Sequence, residues 1–388
     1  MMDSIYLDHA ATSPMDPRVV DAMLPYFYEQ FGNPSSIHHI GRAARQAVDE
    51  ARAKLAECLH TSPNQLIITS GGTEADNLAV IGYALENESK GKHIITTQIE
   101  HHAVGHACAE LEQRGFEVTY LPVDEIGRVS VEDVRKALRD DTILITIMYG
   151  NNEVGTIQPI KEIGEILREH QAAFHTDAVQ ALGTVDINLA ELPVDMLSLS
   201  AHKINGPKGI GLLYMKKGIS ARPLLFGGEQ ERKRRAGTEN VAAIVGFKKA
   251  MEIAVETANE KRERYLGYSR IFFDTFTKMD INFGLNGDPV ERLPHVLNIS
   301  FPGVQVEALL VALDMANIAA SSGSACTAGS LEPSHVLEAM YGNEGKERIF
   351  SAVRFSFGIT NTEEEIEHAA KEIAKIVKRL QEQQQFIS

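Results

Sequence analysis

Lys203 stands in Ser198-Leu199-Ser200-Ala201-His202-Lys203-Ile204-Asn205-Gly206-Pro207-Lys208-Gly209, after an apolar run and before a turn rich in glycine and proline. A lysine at a strand end, walled by low-dielectric groups, can lose its proton and form a Schiff base. A lone loop lysine is ordinarily just solvated, so the argument rests on its company. Twenty-six residues earlier, Asp177 in His175-Thr176-Asp177-Ala178-Val179-Gln180 directly follows an apolar stretch. That is the carboxyl edge of a strand, where open α/β sheets bind ligands. A carboxylate there either caps the next helix or keeps a pyridine nitrogen protonated, which makes a pyridoxal ring an electron sink. Gln180, about one turn on, faces the same way and could donate to a ring hydroxyl. Ser70-Gly71-Gly72-Thr73-Glu74 joins a strand to a helix start, and exposed amides at such a junction bind anions. The segment has neither the Gly-Lys-Ser/Thr of a P-loop nor a GxGxxG pattern, so it suits a phosphate without specifying a nucleotide. A plain strand-to-helix turn is the alternative.

The three cysteines differ in setting. Cys58 and Cys108 fall at helical spacing with Leu55 and with Val104 and Leu111, the pattern of small core residues. Cys326 lies in Ser321-Ser322-Gly323-Ser324-Ala325-Cys326-Thr327-Ala328-Gly329-Ser330, which has no apolar period. That composition predicts a mobile, accessible loop and a thiol free to act as a nucleophile. His102 and His106 are spaced i, i+4 as helical metal ligands would be, but no HExxH and no third ligand accompany them, so no metal is predicted. Arg232-Lys233-Arg234-Arg235 reads as a solvated basic face, with contact to tRNA or a partner protein as the alternative.

These residues need elements to position them. Strands are predicted at 66–69, 93–97, 117–121, 143–148, 173–176, 196–200 and 211–215, with helices near 42–59, 73–87, 102–114, 130–139 and 159–170. Such alternation predicts a mostly parallel sheet with helices on both faces. Beyond it come one long charged helix from Val241 to Lys278, strands at 296–301 and 353–357, and helices at 305–315 and 362–383. This last third reads as a smaller α+β domain. Asp16-Pro17 and the box Thr362/Glu365 are helix starts.

The chain has 388 residues, 44% hydrophobic, and a net charge of −15. The acidic balance argues against a protein built to grip nucleic acid directly. No apolar run approaches the roughly 18 residues of a membrane span. The first residues, Met1-Met2-Asp3-Ser4-Ile5, carry neither a basic stretch nor an apolar core, so no secretory signal is expected. Three cysteines cannot build a disulfide framework, and a cytoplasmic protein is expected.

Together SAHKINGPKG, HTDAVQ and TSGGTEADN resemble the fold-type-I pyridoxal phosphate enzymes. With Tyr6–Thr12, Gly32–Ser36, Glu100–Val104, Asn151–Gly155, Arg235–Asn240 and Ser322–Cys326, the resemblance narrows to the NifS/IscS-type cysteine desulfurases. These motifs run in order over nearly the whole chain. The resemblance implies a large pyridoxal phosphate-binding domain with a mostly parallel seven-stranded sheet (residues 14–258) and a small domain (1–13 and 259–388) carrying the catalytic Cys loop. It implies that Lys203 carries the cofactor and moves the substrate proton, while His101 stacks on the ring and assists acid–base steps. Asp177 and Gln180 would meet the ring, and Gly72, Thr73, Ser200 and His202 the phosphate. Thr238 would reach the phosphate of a neighbouring subunit, so a homodimer would share its active sites. Asn152 and Arg354 would bind the carboxylate of L-cysteine, and Cys326 would take the sulfur as a persulfide. The sulfur would pass to an acceptor protein, an iron–sulfur scaffold or a tRNA thiolase. The sequence ends at Gln385-Phe386-Ile387-Ser388, where housekeeping members continue into a scaffold-docking tail, which leaves the acceptor open. The rival readings are a selenocysteine lyase or aminotransferase of the same fold, and a non-catalytic sulfur-trafficking scaffold.

Overall fold

The computed structural model describes residues 4–323 and 333–385. Its strands are β1 (Ile5–Tyr6), β2 (Leu66–Thr69), β3 (His93–Thr97), β4 (Glu117–Leu121), β5 (Thr142–Thr146), β6 (Ala173–Asp177), β7 (Met196–Ser200), β8 (Gly211–Met215), β9 (Gly284–Asn286), β10 (Val296–Ser300), β11 (Ile318–Ala319) and β12 (Ala352–Ser356). Seven of them form one sheet in the order β2-β8-β7-β6-β5-β3-β4. All its pairs are parallel except those of β8, which runs antiparallel between β2 and β7. β3 and β5 to β8 are buried at every position, as expected of runs of β-branched and aliphatic residues covered on both faces.

Alternation along each strand splits the interior into two cores. Ile68, Ile95, Ile145, Phe174 and Leu197 point to one face, together with the helices His39–Cys58 and Val241–Glu256. Ile67, Ile94, Leu144, Ala173 and Met196 point to the other, under the helices Gly72–Asn77 and His102–Gln113. This is the predicted mostly parallel sheet with helices on both faces.

The last third builds a second core. β9, β10 and β12 form an antiparallel sheet, and β1 pairs in parallel with β11. The helices Ala258–Lys278, Val306–Met315 and Glu363–Gln385 contribute to this core. Phe272, Phe276, Phe301, Phe355 and Phe357 sit at its centre, with the Phe272 and Phe355 ring centroids 5.2 Å apart. The predicted stripe Ile366, Ala370, Ile373 and Val377 is buried here, and Leu380 is partly buried.

Both predicted caps form. The Asp16 carboxylate accepts the Arg18 N–H at 2.9 Å. Thr362 and Glu365 exchange side chain-to-backbone bonds at 3.1 and 3.2 Å. The single helix expected from Val241 to Lys278 is a correction: it is two helices, interrupted at Thr257 (φ −104°, ψ 7°). The Thr257 hydroxyl and amide both donate to the Ile253 carbonyl, at 2.6 and 3.0 Å. Such back-bonding competes with helix continuation and leaves no glycine or proline to announce the break.

The N-terminal segment ties the two cores together. After β1 it bridges Asp8 to Ser356, and the Ala10 amide donates to the Ser356 hydroxyl at 2.8 Å. It then crosses to the large sheet, where the Ser13 amide donates to the His202 carbonyl at 3.1 Å.

Candidate active site

The carboxyl ends of β6 and β7, the turns after β2, β3 and β5, the strap Ala10-Ala11 and Arg354 of β12 enclose one cavity of about 270 Å³. Lys203, Asp177, Gln180, His101, Gly72, Thr73, Ser200, His202, Asn152 and Arg354 all line it. Two predicted site residues are elsewhere. Thr238 is exposed and outside the cavity of its own chain, and Cys326 lies outside the described residues. Gly323, three positions before Cys326, is on the cavity wall.

Lys203 Nζ donates to the Ala10 and Ala11 carbonyls at 2.6 and 2.8 Å. Gln180 Nε2 also donates to the Ala10 carbonyl, at 2.9 Å, so the strap orders both side chains. Asp177 Oδ1 accepts the Val179 amide at 2.9 Å. Burial pushes its carboxyl up to about 6, although that amide and the nearby Lys203 both favour the charged form.

His101 Nδ1 accepts the Ala103 amide at 3.1 Å and so caps the helix His102–Gln113. Burial, with Lys203 close by, lowers its pKa to about 4. The neutral ring therefore carries its proton on Nε2. Burial lowers His202 to about 4 as well, and its Nδ1 lies 3.2 Å from the Thr12 hydroxyl. At the phosphate end, a Cβ added to Gly72 would come within 2.9 Å of Val179 Cγ2, so the turn fits only a glycine without rearrangement.

Arg354 is 3% exposed. Its Nη1 donates to the Asn152 carbonyl at 3.0 Å and its Nη2 to Asp8 Oδ1 at 2.9 Å, while Nε is buried without a partner among the described residues. A buried guanidinium on a cavity wall with an unused N–H is suited to a carboxylate.

Sequence reasoning missed two carboxylates here. Asp8 holds Arg354 from 346 positions away, and no local pattern announces that pairing. Asp76, 1% exposed, lines the cavity from the helix Gly72–Asn77. Its one sequence signal is an acid among the apolar residues Ala75, Leu78 and Ala79. Burial and the neighbouring Asp177 hold its carboxyl well above the usual carboxylate range.

The His102–His106 pair gains a third ring in the fold. His335 packs 4.9 Å from His102, itself 5.1 Å from His106, between centroids. Among the described residues, however, the ligand atoms that converge within 4.8 Å of one another belong to Asp76, His101 and Asp177. The basic run is partly spent inside the protein. Arg234 donates to the Asn64 and Leu66 carbonyls, and Arg235 pairs with Glu74 at 2.8 Å. Cys108 is fully buried, with its thiol pushed up to about 12, and Cys58 is half-buried against the core.

Residues 5–368 match the Aminotransferase class-V family. The putative cysteine desulfurase IscS 1 of Bacillus subtilis (strain 168) is 60% identical over 379 residues, covering 98% of this chain and all of that protein. The cysteine desulfurase IscS of Methanosarcina thermophila is 51% identical, covering 97% of this chain and 93% of its own. Among solved structures, a NifS-like protein superposes with a TM-score of 0.90 at 37% identity, over 97% of this chain and all of that one. A structure titled SspA in complex with cysteine reaches 0.80 at 35% identity, over 91% of this chain and 99% of that one. A cavity at the strand ends of the large sheet, lined by a lysine and two acids and closed by an arginine from β12, together with these likenesses along the whole length, places the chain in the class-V aminotransferase family, among its cysteine desulfurases.

Proposed function

We propose that the chain converts L-cysteine to L-alanine and takes the sulfur as a persulfide on Cys326, using pyridoxal 5'-phosphate held in the cavity. One observation carries this reading: Lys203, Asp177 and Arg354 share a single cavity whose wall includes Gly323. Cys326 follows Gly323 by three positions in the sequence.

The residues fit the cofactor. Gly72, Thr73, Ser200 and His202 offer amides and polar side chains for a phosphate, and Asp177 offers a carboxylate for a ring nitrogen. The steric limit at Gly72 keeps that cradle open. When bound, the cofactor supplies a conjugated ring that takes up the electron pair left on the substrate Cα.

The chain's own groups do the rest. Lys203 anchors the cofactor, removes the Cα proton and returns it. With the cofactor bound, Asp177 would balance a positive ring nitrogen, His101, neutral with its proton on Nε2, would wall the ring and assist proton transfer, and Gln180 would offer its amide to the ring hydroxyl. Arg354, with Asn152, holds the substrate carboxylate. The Cys326 thiolate attacks the substrate sulfur: an S–S bond forms, the C–S bond breaks, and cysteine plus thiol become alanine plus persulfide.

A homodimer completes the site, with Thr238 serving the neighbouring subunit. In support, Thr238 is exposed and away from its own cavity, and Phe27, Tyr28, Phe31 and Ile37 are 62–91% exposed. Arg45 donates to both the Pro34 carbonyl and Glu239, which puts that apolar segment and Thr238 on one face. Large exposed apolar patches of this kind mark interfaces. Residues 14–258 form the cofactor-binding domain, and 1–13 with 259–388 the small domain. The persulfide passes to an acceptor protein of iron–sulfur assembly or tRNA thiolation in the cytoplasm. No helix among the described residues is long and apolar enough to cross a membrane.

The test is product stoichiometry and cofactor mapping. Purified chain given L-cysteine should yield alanine and bound sulfane sulfur in equal amounts. Borohydride reduction should leave the pyridoxyl adduct on the peptide of Lys203. An adduct on Lys208, or alanine without sulfane sulfur, refutes the assignment.

A further inference from the structure

Asp76 and Asp177 form a buried carboxyl pair that the reaction as derived uses only in half. Their nearest oxygens, together with a His101 nitrogen, lie within 4.8 Å of one another, and Asp76 Oδ1 has no hydrogen-bond partner among the described residues. Both residues line the cavity. Two carboxylates this close in a dry site do not both ionise, because repulsion and desolvation act together. One proton therefore stays with the pair.

The surroundings decide which oxygen keeps it. Asp177 accepts the Val179 amide at 2.9 Å and feels the Lys203 ammonium, and both favour its charge. Among the described residues no lysine or arginine pairs with Asp76. Its nearest basic group is His175, with Nε2 3.7 Å from Oδ1. That ring is buried and occupied on both nitrogens, by the Thr146 hydroxyl at 2.8 Å and the Ser198 hydroxyl at 2.9 Å. Burial lowers its pKa to about 3, so it stays neutral. Of the remaining neighbours, Glu100 is itself raised to about 8 by burial and offers no positive charge, Ser198 gives Asp76 a single hydroxyl, and His101 is neutral.

We infer that Asp76 is a positioning residue which carries the proton of the Asp76–Asp177 pair, leaving Asp177 as the one negative charge at the ring-nitrogen end of the cavity. The protonated carboxyl donates toward Asp177, orders it and keeps the net charge of the pair at one. A second carboxylate in that place would over-stabilise positive charge near the ring and weaken the balance that Asp177 sets. This rests on the proposed pyridoxal phosphate site, but the proton's location does not.

Infrared difference spectra of the full-length protein at neutral pH locate the proton. Glu100, pushed up to about 8 by burial with the Asp177 charge adding to it, contributes its own carboxyl band, so both differences are recorded in a Glu100→Gln background. Wild type minus Asp76→Asn should show a lost protonated-carboxyl stretch, and wild type minus Asp177→Asn should show none. A band lost with Asp177→Asn, or none lost with Asp76→Asn, overturns the inference. If Asp76→Asn does not fold, the Asp177→Asn difference still decides.

Pyridoxal 5'-phosphate titration supplies the second arm. Asparagine keeps a neutral donor, so Asp76→Asn should bind within about threefold of wild type, whereas Asp76→Ala should bind roughly tenfold more weakly. Equal losses in both variants overturn the inference. Failure of the wild type to bind pyridoxal 5'-phosphate at all would instead refute the proposed function, with the infrared result still standing.

Discussion

Arg354→Gln tests the substrate end of the cavity most directly. The guanidinium is buried, spends one N–H on the Asn152 carbonyl and one on Asp8, and keeps Nε without a partner among the described residues. A carboxylate meeting Nε and a neighbouring Nη makes two charge-assisted hydrogen bonds of about 1.5–3 kcal/mol each. Glutamine should therefore lose about 3–6 kcal/mol of transition-state binding, or roughly 10²- to 10⁴-fold in kcat/KM for L-cysteine. Lysine keeps the charge but not the fork, and Arg354→Lys should fall between the two. The assay is sulfide release under excess thiol, run in parallel with cysteamine, which lacks the carboxylate. Wild type should strongly prefer cysteine, and Arg354→Gln should lose most of that preference because cysteamine never used the guanidinium. Asp8→Asn controls for the ion pair, whose acid is 20% exposed and keeps access to water. If Arg354→Gln loses as much toward cysteamine as toward cysteine, Arg354 acts through Asp8 and the fold, and the carboxylate assignment is wrong.

Cys326→Ser should bind pyridoxal 5'-phosphate and change spectrum with cysteine yet form almost no persulfide, while Cys58→Ser and Cys108→Ser should keep turnover; persulfide labelling reads all three. Mixed chains of inactive Lys203→Ala and inactive Thr238→Ala should regain activity through hybrid dimers, and a fully active monomer would contradict the shared site. The stability of the cofactor-free protein should peak near pH 6.5. His9, His101, His175, His202 and His295 are lowered to about 3–4 by burial, so below the unfolded value of 6.5 the unfolded chain binds more protons and stability falls as pH falls. Glu100, raised to about 8, and Asp76, also raised, make the folded chain bind more protons above that point, so stability also falls as pH rises toward 8. A melting temperature that climbs steadily from pH 5 to 8 would contradict this balance.

What was legible in the sequence follows from range. β2, β3, β4, β7 and β8 were readable to the residue because each is a short run rich in aliphatic, β-branched or aromatic residues. Lys203, Asp177 and Gly72 were readable because strand ends concentrate ligand contacts. The break at Thr257 was not, since the amphipathic period continues through it and a threonine side chain does the interrupting. Asp8 was not assigned to Arg354 because the pairing joins the two ends of the chain. Asp76 looked like any acid near a helix start, and only the fold sets it opposite Asp177. The assignment of Thr238 rests on family resemblance alone, since its own chain gives it no place in the cavity.

The strap that crosses from β1 to the cavity sets the timing of biogenesis. Ile5 pairs with Ile318 and Asp8 with Arg354, so the first residues made by the ribosome wait for nearly the last. At typical synthesis rates that wait is roughly 20–70 s. Throughout it the large sheet can form, but Ala10 and Ala11 are not fixed over Lys203, and Arg354 has yet to be made. Contacts of such high sequence separation are the slow ones in folding. A chain interrupted before β12 would carry the lysine and the acid yet lack both the ordered strap and the guanidinium. The cavity thus closes only once β12 has been made, so ordering of the strap over Lys203 reports synthesis past Arg354.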